Sequence, residues 1–76
     1  MLSMIYRLTQ DFERSHGIRP NLLYLHPEHL QQFQLDYPDP HSRAEIFRRL
    51  GLEIAVSREA VHPHVAWSLL VLRDAV

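Results

Sequence analysis

The chain has 76 residues, of which 46% are hydrophobic and 22% charged, and its formal net charge is −1. This length fits one domain, and the composition is typical of a globular protein and not of a disordered chain. The nearly neutral charge argues against a dedicated nucleic-acid-binding protein, because phosphate backbones are bound largely through an excess of positive charge. Cysteine is absent, which excludes disulfides and cysteine-based zinc sites.

Two further features bear on where the protein works. Its eight basic residues are all arginine, which is typical of GC-rich bacterial genomes. The sequence shows no signal-peptide pattern, and no apolar run is longer than Leu69–Leu72, which is far too short to span a membrane. We therefore expect a cytoplasmic bacterial protein that has no membrane partner.

The chain begins with the pattern of an amphipathic helix over Ser3–His16. Its apolar residues Ile5, Leu8 and Phe12 recur at helical spacing, and polar residues occupy the other side. Gly17 suits the left-handed backbone conformation that commonly closes a helix. The sequence therefore predicts a first helix that ends at Gly17.

A short strand and a second helix are predicted next. The apolar run Leu22–Leu25 lies between helix-breaking residues, which favours a buried strand. Pro27 suits the first position of a helix, which we expect to run to about Leu35 with Leu30 and Phe33 facing inward. His26 then falls at the cap position.

A third helix and a second strand follow. Ser42 and Glu45 match a capping box, in which the serine accepts a backbone hydrogen bond and the glutamate reaches back. The helix would continue to Leu50 and stop at Gly51. Leu52–Ser57 then alternates large apolar residues with small or polar ones, as a half-buried strand does.

The last predicted strand, His64–Leu72, is the longest and the most apolar, so we place it in the middle of the sheet. The other two strands would flank it, both antiparallel to it and joined to each other by a right-handed helical crossover. The sequence thus predicts a two-layer α/β (α+β) domain with about three helices and the element order α-β-α-α-β-β. Its three-stranded mixed sheet would have the strand order 1-3-2.

This arrangement leaves one face of the sheet without helices, yet both faces of the last strand are apolar. A solvated face would instead be polar at alternate positions. The cover could be the first helix, a second copy of the chain or another protein. Symmetric dimers are the commonest soluble oligomers, so we expect a homodimer whose interface includes Trp67, Leu70 and Leu72.

The six histidines form the second unusual feature. His26 lies just past the first strand and His29 one helical turn later, while His62 and His64 precede the last strand. Antiparallel pairing of those strands would bring all four to one end of the sheet. Four imidazoles, or three together with Glu28, can complete a tetrahedral zinc site or bind another divalent transition metal.

Apart from these histidines, the sequence contains no pattern that is typical of a catalytic site. The two glycines read as helix stops and not as a phosphate-binding loop, and no serine lies in a nucleophile elbow. The leading hypothesis is a non-catalytic, self-associating binding or structural module. The alternatives are a metal-binding protein that uses the four histidines, and a small oligomeric enzyme with a shared cleft.

Overall fold

A computed structural model describes residues 1–70 of the chain. It contains three helices and three strands, which confirms the predicted α+β class and the order α-β-α-α-β-β. The elements are α1 (Leu2–His16), β1 (Leu22–Leu25), α2 (Pro27–Asp36), α3 (Pro40–Leu50), β2 (Glu53–Val56) and β3 (His64–Ala66).

Two of the three helices, α1 and α3, end at the predicted glycines. Gly17 closes α1 and Gly51 closes α3, with φ of 73° and 70°, a left-handed conformation that a residue with a Cβ atom rarely adopts. The predicted start of α3 is wrong, because the helix begins at Pro40 and Asp39 caps it by accepting a hydrogen bond from the backbone N–H of His41. Ser42 instead donates its hydroxyl proton to the Asp39 carboxylate at 2.8 Å.

The sheet has the order β2-β1-β3, so β1 and not β3 is its central strand. β1 runs parallel to β2 and antiparallel to β3, and these strand directions are the predicted ones. The predicted strand order 1-3-2 is wrong because it depended on a last strand long enough to pair on both sides. β3 has three residues, His64–Ala66, and Leu69 and Leu70 lie in a helical turn.

Two neighbouring residues explain why β3 is so short. Its ladder with β1 ends where Leu22 pairs with Ala66, and beyond that point the opposing chain offers Asn21 and then Pro20, which has no N–H to donate. Asn21 donates its backbone N–H to the carbonyl of Ala66 at 3.0 Å. The apolar residues after Ala66 therefore have no strand to pair with.

The core lies between the sheet and the helices. Leu23 and Leu25 of β1 are fully buried with Ile5 of α1 and Phe33 of α2. The Phe33 ring lies 4.8 Å from the Phe47 ring of α3, measured between centroids. Since Ile5 joins this same cluster, α1 packs on the same face of the sheet as α2 and α3, and the predicted option that α1 covers the opposite face is wrong.

Candidate functional site

The helices α1–α3 all pack on one face of the sheet, and none of them covers the other face. Leu23 and Leu25 point toward the core, so Leu22 and Tyr24 point away from it. The strand register adds their neighbours on β2 and β3. We call this surface the open face, and its six residues are Leu22, Tyr24, Glu53, Ala55, His64 and Ala66.

The open face forms two rows of three side chains. The first row runs Glu53, Leu22, Ala66 across the sheet, and the second runs Ala55, Tyr24, His64. The four uncharged residues are half-buried, while Glu53 and His64 are exposed at opposite corners. Four apolar or aromatic side chains thus form the centre and one diagonal of a surface that no helix within residues 1–70 covers.

His64 is held in place on this surface. Its ring stacks on the Tyr24 ring with centroids 4.7 Å apart and planes inclined by 20°. Its Nδ1 lies 3.1 Å from the carbonyl oxygen of His62, and a carbonyl only accepts, so Nδ1 carries the proton. That tautomer leaves the Nε2 atom of His64 available to a partner.

His26 and His29 form a reciprocal cap at the start of α2. The Nδ1 of His26 accepts from the backbone N–H of Glu28 at 3.1 Å. The Nδ1 of His29 accepts from the backbone N–H of His26 at 3.2 Å. The two side chains thus take the positions that a serine and a glutamate occupy in the usual capping box.

The four predicted metal ligands are only partly brought together. His26, Glu28 and His29 line a shallow depression of about 260 Å³ with Arg58 and Val61, and neither His62 nor His64 lines it. Within residues 1–70 no group of three or more histidine, aspartate or glutamate side chains has a geometry that can hold a metal ion. The metal hypothesis rests on the sequence pattern and gains no support from this geometry.

The three predicted interface residues lie at the end of β3 or beyond it. Trp67 is 42% exposed and lines a second depression, of about 250 Å³, with Arg19 and Arg49 among its walls. Leu70 is 68% exposed and does not belong to a strand. Leu72 lies outside the described residues.

One important residue escaped the sequence analysis. The Asn21 side chain accepts a hydrogen bond from the backbone N–H of Ser68 and donates one to the Ser68 carbonyl, both at 2.8 Å. The Asn21 carbonyl also accepts from the backbone N–H of Glu53 at 3.0 Å. Asn21 therefore ties both outer strands to the central one, and the only sequence signal was an asparagine between a proline and an apolar run.

Comparisons with protein-family models, curated protein sequences and solved structures gave no match for this chain. Among the helices of residues 1–70, none combines the length and the apolar character that crossing a membrane requires.

Proposed function

We propose that this protein is a small interaction module whose open face binds a second copy of the same chain. The observation that carries the proposal is the sheet surface centred on Leu22 and Tyr24, which no helix of residues 1–70 covers. Antiparallel and mixed sheets tolerate one solvated face when that face is polar. On the open face only Glu53 and His64 are polar residues, and the Tyr24 hydroxyl is the one further polar side-chain group.

The size of the open face indicates how strong the contact is. Three strands of about four residues present roughly 200 Å², whereas a stable interface buries about 800 Å² on each partner. The contact must therefore extend beyond the sheet, and the next exposed apolar side chains along the chain that could join it are Leu69 and Leu70, which are 55% and 68% exposed. We expect a reversible dimer of micromolar affinity.

Sedimentation velocity from about 5 µM to about 500 µM tests this proposal. The wild-type chain is expected to shift from monomer to dimer within this range. Ala55→Arg places a long charged side chain on the open face and should keep the protein monomeric at every concentration. A wild-type chain that stays monomeric up to the highest concentration overturns the proposal.

Leu35→Arg is the matched control. Leu35 is 69% exposed on α2, away from the open face, so this variant removes an exposed leucine and adds the same charge as Ala55→Arg. It should dimerise like the wild type, and circular dichroism should show that both variants are folded. Equal loss of dimer in the two variants would show that general charge, and not the open face, controls association.

A further inference from the structure

The open face is self-complementary in one orientation, and this follows from where its charged side chains lie. Glu53 occupies one corner of the two-row surface and His64 the diagonally opposite corner. From strand spacing and rise, their Cα atoms are about 12 Å apart. The other diagonal carries Ala55 and Ala66, the two smallest side chains of the surface.

A symmetric dimer formed by this face has its two-fold axis in the plane between the sheets. An axis along the strands sets Glu53 against the partner's Ala66, and an axis across the strands sets it against the partner's Ala55. An axis through Glu53 and His64 sets each of these residues against its own copy, so that like charges meet. None of these three arrangements pairs opposite charges.

The fourth axis, perpendicular to the line that joins Glu53 and His64, does pair them. It places Glu53 against the partner's His64, and the symmetry repeats this contact. Ala55 and Ala66 lie about 2 Å from this axis, where their small side chains let the sheets approach closely. The strands of the two sheets would then cross at about 70°, near the orthogonal class of sheet packing.

We propose that two copies of this chain pair about an axis perpendicular to the Glu53–His64 line, with Glu53 of each copy bound to the partner's His64, so that protonation of His64 strengthens the dimer. This inference rests on the proposed function and specifies its geometry and its control by pH. Among the described residues of its own copy, the groups that contact the His64 ring are the Tyr24 ring and the carbonyl of His62. Both tolerate a protonated imidazole, because Nδ1 already donates and an aromatic face attracts a cation.

The first test is the pH dependence of the dimer dissociation constant, measured by sedimentation at pH 8 and at pH 6. Exposed ion pairs are individually weak, and two of them should tighten the dimer about fivefold at pH 6. Glu53→Gln should remove the part of this difference that comes from the two ion pairs. Protonation of the other histidines also changes the net charge, but that general effect persists in Glu53→Gln, so an unchanged pH response in this variant overturns the proposal.

The second test exchanges the charges. At pH 6, Glu53→Arg and His64→Glu should each weaken the dimer at least tenfold, because like charges then meet at both corners. The double variant Glu53→Arg/His64→Glu should recover the wild-type dissociation constant to within about threefold. Glu59→Arg, in the loop between β2 and β3, is the control and should dimerise like the wild type.

The outcomes separate the two proposals. A wild-type chain that never dimerises removes the self-association itself. A wild-type dimer with a flat pH response and no recovery in the double variant leaves self-association standing and overturns this arrangement. Thermal unfolding of each single variant at a concentration where it is monomeric shows whether it is folded, and the double variant has to recover the dimer and not only the fold.

Discussion

Asn21 offers the sharpest test of how the sheet is held together. Asn21→Ala removes the two 2.8 Å hydrogen bonds to Ser68 from a half-buried site. Each such bond contributes about 1 kcal/mol net, so the free energy of unfolding should fall by about 2 kcal/mol. A domain of this size is stabilised by roughly 4–11 kcal/mol in total, which makes the expected loss easy to measure.

Urea unfolding followed by circular dichroism gives the free energy directly, and the melting temperature should fall by roughly 10 °C. Asn21→Asp keeps an acceptor for the Ser68 N–H but sets a carboxylate oxygen against the Ser68 carbonyl. We therefore expect it to be at least as destabilised as Asn21→Ala. This ordering distinguishes a loss of hydrogen bonds from a simple loss of side-chain volume.

Gln32→Ala is the matched control, because it also removes an amide side chain. Gln32 makes one exposed hydrogen bond, to Asp36 at 3.2 Å, and its loss should cost less than about 0.5 kcal/mol. If Asn21→Ala costs no more than Gln32→Ala, Asn21 does not fasten β3 to the rest of the sheet and the reasoning is refuted.

Three further predictions concern the core and the helix caps. Phe33→Ala should cost about 3–5 kcal/mol in urea unfolding, since the ring is fully buried against two other rings; a loss under about 1.5 kcal/mol would contradict the described core. His26→Ala should cost about 1 kcal/mol, and His26→Asp should recover it; equal instability of the two variants would exclude a capping role. The hydrogen bonds from the Ser42 hydroxyl and the His41 N–H hold the pKa of Asp39 below its ordinary 3.8. Its stabilisation is therefore present above about pH 4 and lost as pH falls further, so Asp39→Ala should flatten the acid limb of a stability–pH profile, and an unchanged limb would refute this.

The order of helices and strands was predictable because residues that start or stop helices mark most of the boundaries. Gly17 and Gly51 stop helices through their left-handed backbone, and Pro27 starts one, so three helices could be placed to within a few residues. Asp39 was missed as a cap because Ser42 and Glu45 also fit a capping box. The structure uses Glu45 differently: its hydrogen bonds with Arg48 and then Arg49 lower its pKa.

The strand order was not predictable in the same way. An apolar run such as Val65–Leu72 has the composition of a central strand, and nothing within it says where pairing ends. The limit is set from outside, by a four-residue β1 and by Pro20, which cannot extend the ladder. The same error affected the candidate interface, since it placed Leu70 on a sheet face that ends at Ala66.

For the histidines too, contacts between residues close in sequence were predictable and contacts between distant residues were not. His26 was predictable as a cap because Pro27 fixes the helix start, and its reciprocal partner His29 is only three residues away. Whether His26 and His29 converge with His62 and His64 could not be predicted, because it depends on the conformation of the loop between β2 and β3. That loop contains Pro63 and orients His64 onto Tyr24 and the open face.

The central position of β1 has a consequence for how the protein is made. Its two neighbours, β2 and β3, follow it by about thirty and forty residues in the chain, so a nascent chain that emerges in order exposes Leu22–Leu25 with both hydrogen-bonding edges empty. Translation at roughly 5–20 residues per second leaves this segment without a sheet for seconds. An apolar strand with two free edges is a template for pairing between chains, so the interval during synthesis is when this small protein is most exposed to aggregation.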